Sequence, residues 1–437
     1  MAIIITILGI LVLVFLISYL KVHTFLAFIL VSLGIGLVLG MHPDQLAKSI
    51  QNGIGGTLGS IVGIIVLGAM LGKLIAISGV AQQISSKMIE WVGIPHIRWA
   101  FMITGFIVGL PLFYSVGFML LVPIAITLAY RNNLSAVFVS LPLLASLSVT
   151  QGYLPPHPAP LFLVKQLHAN MGLTLFYGII ISIPAILISG ALYGSTIKKY
   201  TTIPNLSFIA PQIAEEDLPP VHLCFIIVLL PIILIGAGSF ISPLLNEGTL
   251  LKNVLLFISD ATVSLLITVL VALFSLDILK TKKKQEINTQ FTEAVKEVSS
   301  ILLIFGAAGA LKQVLTDGGV SQTIATQLQS LHMNPYILGW TIAAIIRVCV
   351  GSSTVSGITT AGFILPLMVN SSINANLMVL SIGAGSMMFS HVNDTGFWLF
   401  REYFQLSLTE TVKTWSVMDT LVSITGLLGV LALSLIV

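Results

Sequence analysis

Apolar residues run along this chain in long blocks, not in the alternating or one-faced patterns of soluble elements. The blocks cover residues 2–20, 24–40, 55–78, 97–130, 134–194, 221–242, 253–278, 296–315, 335–369, 376–400 and 414–436. A hydrocarbon layer about 30 Å thick needs about 20 apolar residues in a helix, so blocks of this length predict membrane spans. Several are too long for one span and are broken by Gly, Pro or polar clusters. No positive charge precedes the first block and no small-residue cleavage site closes it before Lys21, so it reads as a retained helix and not a signal peptide.

Between 195 and 220 the pattern turns polar, with Lys198, Lys199, Pro204, Glu215, Glu216, Asp217, Pro219 and Pro220, which predicts a linker. The flanking halves, 1–194 and 221–437, match in order at nearly constant offset. Gly68, Lys73 and the run from Gly79 to Ile84 answer to Gly306, Lys312 and the run from Gly319 to Ile324. Pro123 falls opposite Pro366, His157-Pro158-Ala159-Pro160 opposite Asn393-Asp394-Thr395-Gly396, and Lys165 opposite Arg401. Each half reads as three plain helices, an amphipathic surface segment, a re-entrant hairpin, a helix interrupted mid-span and a final helix. The fold expected is an all-α polytopic membrane protein of two inverted repeats. Each repeat has five crossings, one of them discontinuous, plus a hairpin. The odd count makes the second half start on the opposite side from the first.

Charge placement supports that topology. With the N-terminus outside and the central linker cytoplasmic, the cytoplasmic side receives Lys21, Lys87, Arg98, Arg131, Lys198, Lys199, the lysines of 280–284, Lys296 and Lys413, while external loops keep chiefly Lys48 and Lys252. The loops at 316–334 and 370–375 hold no Lys or Arg. Only 8% of the 437 residues are charged and 56% are apolar, against about 25% charged in soluble domains, which excludes an ordinary soluble enzyme. A net charge of +3 with a single basic tract at 280–284 gives no reason to expect a nucleic-acid partner. Cys224 and Cys349 both lie in apolar runs and suggest neither a disulfide nor a metal site. No Walker loop, His-Glu-x-x-His or Gly-x-Ser-x-Gly is present, so no enzyme and no cofactor is expected, and transport would be gradient-driven or passive.

Polar groups at membrane depth are costly, so they mark candidate sites. Four prolines in residues 155–160 must break a helix within the run Thr150-Gln151-Gly152-Tyr153-Leu154-Pro155-Pro156-His157. The counterpart break, 390–396, carries His391, Asn393 and Asp394. Half-helix N-termini at such breaks offer unpaired N–H groups to a carboxylate. The hairpin tips are 109–117, with Ser115, and 351–357, where Gly351 is followed by Ser352, Ser353, Thr354 and Ser356. Arg347 is the one cation deep in an apolar run, placed to pair with Asp394 or with a bound carboxylate. Asp394 is the expected proton-coupling group, with His157 and His391 either in the site or capping broken backbone. Ser356 and Thr359 are read as bonding backbone carbonyls as readily as substrate. Asp260 and Asp419 are read as structural or snorkelling near span ends, Lys73 and Lys312 as snorkelling, and Gly55, Gly59 and Gly63 as a packing stripe within the chain.

These runs resemble the gluconate permease family, the gluconate:proton symporters of the wider ion transporter superfamily. The resemblance spans nearly the whole chain. It rests on Gly55 to Ser60, Leu67 to Lys73, Leu147 to Pro158, Gly351 to Val355 and, most specifically, Phe389 to Phe400. It implies a multi-pass protein of the bacterial inner membrane that imports gluconate or a related sugar acid with protons. It also implies a homodimer with a scaffold of about 1–78 and 221–315 and an elevator-like transport domain of about 97–194 and 335–437. Substrate contacts fall to Ser115, Thr150, Gln151, Gly152, His157, Gly351, Ser352, Ser353, Thr354, His391 and Asn393, and proton coupling to Asp394 and His157. Relatives commonly carry an acid where this chain has Ser115, which leaves coupling to Asp394 or a histidine. A permease for another small hydroxy acid or amino acid such as D-serine, or a passive anion channel, fits the residues less fully.

Overall fold

The computed structural model describes residues 2–198, 213–276, 284–319, 333–368 and 373–437. The middle of the expected linker, the 280–283 part of the basic tract, residues 320–332 of the second surface segment and 369–372 lie outside them.

The chain opens with α1 (Ala2–Ser18), α2 (Thr24–Val38) and α3 (Pro43–Ile77). The surface helix α4 (Val80–Val92) follows, burying Val80, Ala81, Ile84, Ser85 and Met88 along one face. Next come α5 (Ile97–Gly109) and α6 (Tyr114–Arg131), then α7 (Ala136–Tyr153) and α8 (Pro158–Gln166) around a break, then α9 (Met171–Thr196). The second half follows. It has α10 (Val221–Ile241), the bent pair α11 (Leu250–Ser259) and α12 (Ala261–Ser275), and α13 (Lys284–Asp317). After these come α14 (Pro335–Val350) and α15 (Ser353–Met368), then α16 (Ala375–Gly385) and α17 (Thr395–Phe404) around a break, and α18 (Leu408–Leu433).

Among the described residues seven helices are long and apolar enough to cross a membrane, or nine if each bent pair is one span. The sequence pattern predicts ten crossings. The difference lies in helices such as α2 and α16, which at 15 and 11 residues fall short of a full hydrocarbon thickness. Conversely, α3 and α13 run 35 and 34 residues, well past the apolar blocks at 55–78 and 296–315. In α3, Pro43 at the first turn and Asp44 beside it start the helix early, and its polar turns project beyond the apolar block.

The interrupted helices form the centre. Every residue of α7 except Phe138 and Gln151 is buried, and α16 is buried from Leu377 to Gly385. A helix that is apolar all round must be enclosed by others, and α7 packs against α5, α6 and α9. Outward-facing leucines and phenylalanines such as Leu11, Phe15, Leu37, Ile233, Phe257 and Phe274 give a surface suited to lipid. Opposite the interrupted helices, α3 and α13 cross so closely that a Cβ on Gly53 would lie 2.3 Å from the Gly309 carbonyl oxygen. Of the glycine stripe, Gly63 packs on Thr262 of α12, whereas Gly55 and Gly59 face nothing within 4 Å. Asp260 caps α12, accepting from the amides of Thr262 and Val263 at 2.9 and 3.2 Å.

Candidate functional site

Four helix N-termini point at one place. The first residues of α6 (Tyr114, Ser115, Val116), α8 (Pro158, Ala159), α15 (Ser353, Thr354) and α17 (Thr395, Gly396) all line a cavity of ≈ 260 Å³. Each of these ends belongs to a helix restarted inside the bundle, after α5, α7, α14 and α16 in turn. A restarted helix exposes N–H groups without intrahelical acceptors and the positive end of its dipole. The remaining wall comes from Glu297, Val298 and Ile301 of α13, from Ser148 and Gln151 of α7, and from Arg347, Met387, Leu399, Trp415 and Asp419.

The charged centre is a single network. Arg347, 3% exposed, donates to Asp394 Oδ2 at 2.5 Å and to the Gly351 carbonyl that ends α14. Asp394 caps α17, accepting from the Gly396 amide at 3.0 Å, and also accepts from Ser390 Oγ. Trp415 Nε1 donates to the same Ser390 oxygen at 2.8 Å. Of the two partners the sequence offered Arg347, Asp394 is the one it holds. Asp419 lies within electrostatic reach of both Arg347 and Asp394, is 1% exposed, and its Oδ1 has no hydrogen-bond partner among the described residues.

The expected site residues divide in two. Ser115, Gln151, Ser353, Thr354, Arg347 and Asp394 line the cavity, and Gln151 Nε2 donates to Ser353 Oγ at 3.4 Å, joining the first break to the second hairpin. The others hold backbone. His157 Nε2 sits 2.8 Å from the carbonyl of Gly109, the last residue of α5. In the second half, His391 and Asn393 reach the Val348 carbonyl at 2.9 and 2.8 Å, and Asn393 also reaches that of Cys349 at 3.3 Å. Each break thus reaches the C-terminal carbonyls of an earlier helix, α5 or α14, where orphan carbonyls need donors. Thr150 donates to the Leu147 carbonyl, Gly152 packs on Met387, and Ser352 Oγ caps the Val355 amide at 3.3 Å. Gly351 adopts φ +84°, and a Cβ there would meet the Asn393 carbonyl oxygen at 2.3 Å, so only glycine fits. Ser356 donates to the Ala343 carbonyl at 2.6 Å, while Thr359 Oγ1 has no partner among the described residues.

Two readings of charged residues are corrected. Lys73 does not snorkel: it pairs with Glu297 at 2.7 Å, because α3 and α13 lie side by side. Asp419 does not sit at a span end, because α18 begins at Leu408, several residues before the apolar block, and this places Asp419 at the depth of the cavity. Among the described residues no group of three or more His, Cys, Asp or Glu gathers to hold a metal.

Comparison with known proteins places this arrangement among carriers. A family model described as GntP family permease matches residues 1–436. The chain is 39% identical to a high-affinity gluconate transporter of Escherichia coli K12 and 41% identical to a gluconate permease of Bacillus subtilis 168, each over all of both chains. It is 39% identical to the Gnt-II system L-idonate transporter of Escherichia coli K12, covering 95% of this chain and 94% of that one. Its fold resembles that of the Alcanivorax borkumensis YdaH transporter, whose crystal structure is described as having an unusual topology. The TM-score is 0.66 with 16% identity, over 94% of this chain and 96% of that one.

Proposed function

Because the chain belongs to the GntP family of permeases, and is therefore a multi-pass membrane transporter and not an enzyme, we propose that it carries gluconate or a related sugar acid in symport with protons. The observation that carries this reading is the convergence of four helix N-termini on one cavity. Their N–H groups and dipole ends suit a carboxylate, and the hydroxyls of Ser115, Ser353 and Thr354 with the Gln151 amide suit a polyhydroxy chain. An L-idonate transporter among the relatives supports a site that reads the acid and the hydroxyl chain together.

Hydrogen-bond accounting favours Asp419 over the expected Asp394 and His157 as the proton carrier. Both oxygens of Asp394 are occupied, one by Arg347 and Ser390 and the other by the Gly396 amide, so an added proton would displace a donor. Asp419 has a free oxygen at the cavity wall. Protonating it neutralises a buried charge and lowers the cost of moving the loaded site. The same reading takes the two halves as inverted repeats, the hairpins and interrupted helices as the moving body, and the N-terminus as external. It takes the assembly as a homodimer in the bacterial cytoplasmic membrane.

Reconstituted protein should accumulate labelled gluconate saturably under an imposed pH gradient. Asp419→Asn should lose that accumulation yet keep gluconate counterflow. Accumulation at the wild-type level in Asp419→Asn would discard the proton assignment, and non-saturable flux would favour a channel.

A further inference from the structure

A second chamber of ≈ 290 Å³ lies further along α13. The two chambers are separated where Phe162 of α8 meets Phe305 of α13. Phe162 and Phe305, both fully buried, stack at 5.1 Å. On one side of that stack are Ala159 and Val298 of the cavity, and on the other Lys165 and Gln166 of α8 with Lys312 and Gln313 of α13. Glu297 and Lys312 are about 22 Å apart along the helix axis at 1.5 Å per residue.

The charges in this chamber are unbalanced. In the sequence repeat Lys312 answers to Lys73, and Lys73 has Glu297 as its partner at 2.7 Å. The position answering to Glu297 is Leu58 in the first half, so Lys312 lacks the acid that its counterpart Lys73 has. Neither Lys165 nor Lys312 forms an ion pair or hydrogen bond among the described residues. The nearby Asp317 is engaged by Ser49 at 2.6 Å and Gln313 at 2.9 Å. Lys165 also borders a neighbouring cavity with Asp260, whose Oδ1 is committed to the α12 cap. Gln166, 5% exposed, donates its amide to Thr57 Oγ1 at 3.4 Å and leaves its buried Oε1 without a partner among the described residues. Two cations and an unfilled acceptor match a carboxylate that carries hydroxyl donors.

We propose that this chamber is a second sugar-acid subsite, in which Lys165 and Lys312 hold the substrate carboxylate and Gln166 accepts from a substrate hydroxyl, toward the end of α13 remote from the central cavity. It rests on the transporter reading and extends it with a relay position separated from the cavity by the Phe162–Phe305 stack. A carboxylate and the phosphate of a lipid headgroup share the same recognition chemistry, and the experiment separates them.

Gluconate uptake is measured in liposomes of phosphatidylcholine alone and with phosphatidylglycerol, at low and high ionic strength. In phosphatidylcholine alone, Lys312→Gln and Lys165→Gln should each raise the half-saturating gluconate concentration about tenfold with the maximal rate kept within about twofold, the loss expected for one charge-assisted contact. Lys312→Arg should stay near wild type, and salt should weaken wild-type uptake more than that of Lys312→Gln. An unchanged half-saturation in both Gln variants overturns the proposal, as does equal loss in Lys312→Arg. An effect seen only with phosphatidylglycerol also overturns it and makes a headgroup the occupant. Absence of saturable gluconate uptake in wild type would instead remove the transporter reading, and this subsite with it.

Discussion

Arg347 and Asp394 show how a site can be anchored by one pair of side chains. Arg347 is almost wholly enclosed and Asp394 is 19% exposed, so each depends on the other to offset its lost hydration. Removing one partner leaves a buried charge unmatched, and such losses run to about 3–5 kcal/mol. Arg347→Gln and Asp394→Asn should each lower the melting temperature of the detergent-solubilised protein clearly, and the double variant should recover part of the loss. Asp419→Asn, which breaks no ion pair, should melt near wild type. Additive losses in the double variant would show that the pair is not coupled. Both members of the pair were legible in the sequence, since a charge deep in an apolar block has little else to do. Asp419 was not, because depth was judged from the edge of the apolar block, and the helix starts earlier than hydropathy indicates. Lys73 was misjudged for a related reason: its partner Glu297 is 224 residues away, and only the α3–α13 crossing brings them together.

At the scale of elements, the breaks were legible because prolines and clustered glycines leave a helix no way to continue. Their clasp on earlier helices was not legible. The sequence shows His157 opposite Asn393, yet the common task of that position is visible only when each is found on a carbonyl near the end of an earlier helix, α5 or α14. Equivalent positions in the two halves thus do equivalent work with different side chains, an imidazole in one and an amide in the other. If the clasp is what matters at His157, an amide should replace it better than a methyl group. His157→Gln should retain most of the gluconate transport rate, whereas His157→Ala should lose about tenfold, the effect of one hydrogen bond of about 1.4 kcal/mol. Initial uptake rates at saturating gluconate decide this, and equal rates in the two variants would rule the clasp out as the function of that side chain.

Across the whole molecule, the two chambers and the aromatic stack between them form a ladder along α13. Val298 and Ile301 face the first chamber, Phe305 the stack, and Gly309 and Lys312 the second. On α8 the same order runs Ala159, Phe162, Lys165. The moving-body reading proposed above would carry α8 along α13, and with it the helix-end site from the first chamber toward the second. A rigid channel would need no such movement. With Cys224 and Cys349 replaced by serine, cysteines at Ala159 and Val298, which both line the cavity, give sites for joining by bifunctional thiol reagents of graded length. Under the sliding reading, joining them stops both pH-driven uptake and counterflow. Single-cysteine variants labelled with a monofunctional reagent of similar size, which fills the cavity without tying the helices, should keep substantial counterflow. Gluconate with an imposed pH gradient should slow the joining, because cycling carriers spend time with Ala159 away from Val298. Undiminished counterflow after complete joining would mean that α8 and α13 keep a fixed relation during transport, and the site would then have to open by another motion.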